Sequence, residues 1–493
     1  MNKILDLLKE KNYVNGKLNE YSGDKLSVTN PASIKTIGSI PSLSAAQIKE
    51  VIDITCDGFK TWSSMLPKER SNILYKWQNL IMENIDLLAE IVTLEHGKPL
   101  DEAKKEIIYG ANFIGWFASK ALDISGYITQ GIKQDQKIIV EYEPVGPVCA
   151  ITPWNFPSAM VTRKVSQALA AGCSIILKPS ELTPFSALAL GLLAKEAGIP
   201  NGVLNIITCD SSLFSDVICE DSRIRKISFT GSTRVGKILH EKSASTLKRL
   251  SLELGGNAPY IIFDDCDLEK AAGDLINAKI RSTGQSCTSP NRILIQSSIY
   301  SNFIKLVEGK LSKLVLGDGF NLNVTVGPLI NKKSADRIES LIKDAKTKGA
   351  EIIVGGNIAS HFINKEGKKT ETNQTHSFFE PTLLINCNKQ MDIFRDEIFG
   401  PVICCYKFKT EEEALSLANE SEYGLASYIY TSNHSKAWDI SNKLDYGIVG
   451  INESIISNEV GAFGGRKSSG YGIEGSELGI YEYLNTKYKC VNY

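Results

Sequence analysis

Phe229-Thr230-Gly231-Ser232-Thr233-Arg234-Val235-Gly236 is where an apolar strand, about 226–229, gives way to a helical segment, about 232–244. Outward from it the same change of pattern recurs. Apolar strands fall near 147–152, 174–177, 203–208 and 249–253, with helical segments near 158–171, 184–197 and 212–219 between them. Strands alternating with helices predict a parallel sheet with helices on both faces. Such sheets take ligands beyond the carboxyl ends of their strands. Thr152-Pro153-Trp154-Asn155 follows one of these strands, Lys178-Pro179-Ser180-Glu181 the next, and Gly231-Ser232-Thr233 a later one.

Gly231 and Gly236 let the backbone approach a pyrophosphate at a helix N-terminus, where free amides and the helix dipole favour anions. Lys178 ends an apolar strand and is placed to donate to a ribose hydroxyl. Glu181 can accept from the adenosine ribose 2′-hydroxyl, and its charge would repel a 2′-phosphate, favouring NAD over NADP. Taken by themselves, both residues read more simply as a solvated strand-to-helix loop. A GxGxxG at Gly470, Gly472 and Gly475 is set aside, because no strand precedes it in a βαβ unit.

The chemistry is carried by two further stretches. Leu252-Glu253-Leu254-Gly255-Gly256 ends a strand with Leu250, Leu252 and Leu254 on one face and Ser251 and Glu253 on the other. Ile280-Arg281-Ser282-Thr283-Gly284-Gln285-Ser286-Cys287 places a cysteine among small polar residues, a loop and not a packed core. A thiol and a carboxylate at element ends suit thioester chemistry: the thiol attacks, and the carboxylate later activates water.

The 493 residues predict two or three domains. With 43% hydrophobic residues, 23% charged residues and a net charge of −1, the chain reads as an ordinary soluble protein, with no nucleic-acid or membrane partner implied. Met1–Glu10 is amphipathic and carries acids, unlike a signal or transit peptide. Eleven cysteines without CxxC pairs, and five histidines, fit a reducing cytoplasm and no metal site. Ser44-Ala45-Ala46-Gln47 is a capping box, and Pro67 opens another helix. Segments 124–129 and 137–142 form a hairpin, which is either a surface feature or an oligomerisation arm. A second α/β pattern runs from 257 to about 450, with helix 267–281 leading into the Cys287 loop, and 483–491 reads as a terminal strand.

Together these residues resemble the aldehyde dehydrogenase superfamily. Ile151-Thr152-Pro153-Trp154-Asn155-Phe156-Pro157, Phe229–Thr233, Leu252–Gly256, Gly284–Cys287 and Glu397-Ile398-Phe399-Gly400-Pro401 fall in family order along essentially the whole chain. Within the family the chain is most similar to succinate-semialdehyde dehydrogenases. The resemblance implies an α/β fold with a Rossmann-like NAD(P)-binding domain, 1–123 and 144–253, to which 451–480 returns. It implies a catalytic domain, 254–450, and a β oligomerisation arm, 124–143 with 481–493, building a homodimer or homotetramer. It makes Cys287, as thiolate, the nucleophile, Glu253 the base for hydrolysis, and Asn155 with the Cys287 amide the oxyanion donors. Thr152, Pro153, Trp154, Lys178, Ser180, Glu181, Gly231, Ser232, Gly236 and Leu254 would hold the cofactor, with Glu397 and Phe399 at its nicotinamide end. Arg163, Arg281, Ser457 and Phe463 would bind the substrate, the arginines gripping the far carboxylate of a semialdehyde. Both arginines read also as ordinary salt-bridge partners. A broader or glutarate-semialdehyde specificity and a catalytically silent relative are the competing readings. Three positions depart from the family: Ile280 for an aromatic, Ser282 for Asn, and Ala462 for Pro. Ser289 stands where many relatives carry a second cysteine.

Overall fold

The computed structural model describes residues 6–373 and 375–493. Met1–Leu5, half of the amphipathic opening, lie outside the described residues.

Alternation of apolar residues on both faces of short strands dictates two buried sheets. The first runs Lys17–Glu20, Lys11–Val14, Leu204–Ile206, Ile175–Lys178, Val148–Ile151, Lys226–Thr230, Arg249–Glu253, Gly470–Tyr471. Its five central strands are parallel. Val148, Ala150, Ile175 and Leu177 pack into one cluster, and Cys149, Ile176, Ile227 and Leu252 into another on the opposite face. The sheet is thus apolar on both faces, as parallel strands beneath helices must be. All four site-bearing strands end at one edge: Thr152 follows the first, Lys178 closes the second, and Thr230 and Glu253 close the other two, as mutual partners.

The eighth strand comes from far along the chain. Gly470 pairs with Glu253 and Tyr471 with Leu252, antiparallel. Gly470 has φ +98° and a Cβ there would stand 2.0 Å from the Leu252 carbonyl, so only glycine fits. Of the three glycines in the rejected dinucleotide motif, Gly470 thus begins the strand that closes a sheet edge and Gly472 follows it.

The second sheet runs Glu351–Val354, Thr382–Ile385, Val402–Phe408, Pro290–Gln296, Ala258–Ile262, Ala426–Tyr430, Ile448–Ile451. Ala258–Ile262 and Thr382–Ile385 are strands the sequence reading passed over. Successive residues again serve opposite faces, Ile261 and Leu294 on one, Tyr260 and Ile293 on the other.

The expected hairpin forms from Tyr127–Gln130 and Gln136–Pro144, so residues 124–126 precede it and do not join it. Leu484–Asn492 pairs antiparallel along all of Gln136–Pro144, completing a three-stranded sheet. Tyr127, Ile128, Ile132 and Tyr488 are exposed on it. Among the described residues no helix is long and apolar enough to cross a membrane, and no cluster of His, Cys, Asp and Glu could hold a metal.

Candidate active site

The loop that carries the thiol is buried. Ser282, Thr283 and Gln285 are at most 1% exposed, so the expectation of a loop outside the packed core is corrected: polar residues here find their partners inside the protein. Ser282, Thr283 and Gly284 all have positive φ, 52°, 56° and 73°. Three such residues in succession are held only by surroundings that fix them. The Glu102 carboxylate accepts from the Ser282 amide at 2.8 Å, and the Thr283 hydroxyl donates to the Gly327 carbonyl at 3.1 Å. The Gln285 side chain accepts from the Ile330 amide at 2.9 Å. A Cβ at Gly284 would stand 2.2 Å from the Gly400 carbonyl, so this loop presses against the Glu397–Pro401 segment. A Cβ at Gly256 would meet the Cys287 carbonyl at 2.2 Å, so the two stretches carrying thiol and carboxylate are in contact.

Cys287, Glu253, Asn155, Arg163, Arg281, Ser457 and Phe463 line one pocket. Glu253 is 2% exposed and neither carboxyl oxygen has a hydrogen-bond partner among the described residues. Burial, then the Glu474 carboxylate, raise it well above the ordinary range, against the opposing pull of Arg163. Its protonated form is thereby favoured. The Cys287 thiol is pushed up to about 12 by burial first and by Glu397 and Glu253 second. In the protein alone the group therefore rests as a thiol, because an anion withdrawn from water beside carboxylates is disfavoured, and a thiolate has to form as it attacks. Asn155 donates from Nδ2 to the Gln285 carbonyl at 2.9 Å, two residues before Cys287. One proton of that amide is thereby used and the other remains to serve an oxygen in the pocket. The Cys287 amide makes no hydrogen bond among the described residues.

The two arginines are not equivalent. Arg163 lies at 1% exposure in helix Ala159–Ala171, with Nε 2.8 Å from Glu474, a guanidinium NH donating to the Tyr109 hydroxyl at 3.3 Å, and the Phe463 ring 3.9 Å below. Glu474 is shared with Lys164. Arg281 stacks 4.8 Å over Phe156 and makes no ion pair among the described residues. Ser457 hydrogen-bonds the Tyr109 hydroxyl at 2.5 Å. Tyr109, Phe156 and Glu474 are pocket residues that sequence reasoning missed. Glu474 sits inside the motif it set aside, and nothing near Tyr109 in the sequence distinguishes it from a core aromatic.

The residues expected to hold a dinucleotide gather at the carboxyl ends of the first sheet. The buried Thr152 hydroxyl has no partner among the described residues. Lys178, 2% exposed, brings Nζ to 3.4 Å from Glu181, whose side chain is 46% exposed. Ser180 accepts from the Leu182 amide at 3.2 Å. Ser232 caps helix Thr233–Ser243, its hydroxyl accepting from the Val235 amide. Gly236 packs against Leu254, where a Cβ would come to 2.5 Å. Pro153 leads into Trp154, whose ring meets Phe399 edge-on at 5.5 Å. Phe399 has φ +58°, a conformation a bulky residue adopts only when forced. Glu397 accepts from the Gly256 amide at 2.9 Å, and burial raises its carboxyl to about 7. An orphaned hydroxyl, a strand-end ammonium, a capped helix N-terminus and a carboxylate together fit a dinucleotide's ribose hydroxyls and pyrophosphate.

A half-buried thiol, a buried carboxyl with no hydrogen-bond partner among the described residues, and a side-chain amide donor thus meet in one pocket at the mouth of such a sheet. The chain belongs to the aldehyde dehydrogenase family, whose model matches residues 18–489. It is 46% identical to the succinate semialdehyde dehydrogenase of Acinetobacter baylyi, covering 95% of this chain and 94% of that one. It is 43% identical to the glutarate-semialdehyde dehydrogenase of Pseudomonas putida, over 99% of both. The crystal structure of an NADP-dependent enzyme of Escherichia coli superposes with a TM-score of 0.94 at 43% identity, covering 99% of each chain.

Proposed function

We propose that the protein oxidises succinate semialdehyde to succinate, with NAD as the favoured acceptor. The observation that carries this reading is one pocket lined by the thiol of Cys287, the carboxyl of Glu253 and two guanidinium groups. Arg281, with no ion pair among the described residues, and the Arg163 Nη2, which has no hydrogen-bond partner among them, are suited to a substrate carboxylate. The aldehyde end then lies toward Cys287. Its sulfur adds to the carbonyl carbon as the thiol proton passes to solvent at the partly exposed Cys287, and the free Asn155 N–H with the Cys287 amide receives the oxyanion. One such donor is typically worth about 3 kcal/mol of barrier. A bound nicotinamide dinucleotide supplies the hydride acceptor. Glu253, once ionised, takes a proton from the water that cleaves the thioester, returning Cys287 and releasing the acid.

Glu181 supports NAD, since its half-exposed carboxylate would face a 2′-phosphate. The exposed aromatic and aliphatic residues of the three-stranded arm support assembly into a homo-oligomer. Eleven cysteines, an odd number, support a reducing cytoplasm. A second reading, glutarate semialdehyde, is favoured by the relative from Pseudomonas putida and differs by one methylene. Initial rates with succinate semialdehyde, glutarate semialdehyde and propanal, each with NAD and NADP, separate these. A large preference for the four-carbon semialdehyde is expected. Equal rates with propanal would remove the arginines from substrate binding.

A further inference from the structure

We propose that Lys98 and Glu106 are positioning residues that fix Asn155 for oxyanion binding. The inference rests on the reading of Asn155 given above. Lys98 Nζ donates to the Asn155 main-chain carbonyl at 2.9 Å and to Glu106 at 2.5 Å, and both side chains are 1% exposed. The other Glu106 oxygen accepts from the amides of Ser158 at 2.9 Å and Ala159 at 3.2 Å. Those amides open the helix that carries Arg163, where a carboxylate is favoured. Lys98 also stands 4.2 Å over the Phe156 ring.

One ion pair therefore holds both ends of the turn Asn155-Phe156-Pro157-Ser158. From the opposite side that turn meets the Cys287 loop, through Asn155 Nδ2 on the Gln285 carbonyl and a long 3.4 Å contact of the Ser282 hydroxyl with the Asn155 carbonyl. Buried ion pairs are weak stabilisers, because desolvation offsets their attraction. Every polar contact of this pair is spent on the placement of one turn. A displacement of about 1 Å at a reacting group costs up to about 100-fold in rate.

The test is a double-mutant cycle read by single-turnover NADH formation in the full-length enzyme at saturating NAD and succinate semialdehyde. Lys98→Met/Glu106→Gln removes both charges together. It is expected to slow hydride transfer about 10- to 100-fold, with the dissociation constant for NAD unchanged. In an Asn155→Ala background the same pair is expected to cost less than about threefold, since its target is gone. An equal factor in both backgrounds, or no effect in either, overturns the proposal. If Asn155→Ala alone leaves the rate intact, the oxyanion reading fails instead. Should the double variant not fold, Glu106→Asp, which keeps the charge and shortens the reach, enters the same cycle with the same expected and overturning outcomes.

Discussion

Glu253→Gln is expected to strengthen the fold while slowing turnover. The carboxyl is buried, has no hydrogen-bond partner among the described residues, and is raised by burial and by Glu474. Below about pH 4.5 it is protonated in both the folded and the unfolded chain. Above that only the unfolded chain releases the proton. Each further pH unit then costs the native state about 1.4 kcal/mol, until the folded carboxyl itself titrates. Glutamine has nearly the same shape and does not titrate, so its advantage grows with pH. Thermal unfolding of both proteins at pH 5, 6, 7 and 8 reads this directly: the melting points should diverge as pH rises, the glutamine variant higher. Stopped-flow on the same samples should give one NADH per site followed by turnover reduced by about 10²- to 10⁴-fold, the range for loss of a general base. A glutamine variant less stable than the parent, or a melting-point gap flat across pH, would refute the buried neutral carboxyl. Undiminished steady-state turnover would refute its role in hydrolysis.

Alkylation of Cys287 by iodoacetamide without cofactor should accelerate about tenfold per pH unit from 7 to 10 without levelling, since the thiol titrates near 12; a plateau near pH 8 would contradict the raised thiol. Arg281→Ala should raise KM for succinate semialdehyde about 10- to 100-fold and leave KM for propanal unchanged, with little change in melting temperature. Arg163→Ala should also lower the melting temperature, because it removes one of the two cations facing buried Glu474; equal stabilities for the two variants would contradict the asymmetry. Deleting residues 484–492 should reduce the mass measured by light scattering, and an unchanged mass would clear the arm of any part in assembly.

Much of the first sheet was legible because its strands are short apolar runs bounded by turns, and the helices between them carry clear signals. The capping box at Ser44 forms as read, with Gln47 bonding back to the Ser44 amide at 2.8 Å. Ala258–Ile262 was hidden because Gly255 and Gly256 read as the end of an element, whereas the chain re-enters a strand two residues later. The edge strand at Gly470–Tyr471 was hidden for another reason: two residues hold no periodicity, and the pairing is set by close approach to Leu252. Cys287, Glu253 and Asn155 stood out by chemistry and order. Their electrostatic state did not, since burial belongs to the assembled loop. Lys98 and Glu106 look like surface charges in a helical stretch, and only the fold brings them to Asn155.

The pairing of Gly470–Tyr471 with the strand of Glu253 also sets a timetable. Every strand of the second sheet lies between residues 258 and 451, inside the interval that separates these partners. At about 5–20 residues per second, a ribosome spends roughly ten to forty seconds on that interval. Throughout it the Glu253 strand presents an open backbone edge, the kind of template on which nascent chains pair wrongly. Meanwhile the later sheet has all its strands in hand and can close first. Synthesis of this protein thus leaves its earlier half waiting for its later one, and a stall before residue 470 would release a chain with that edge bare.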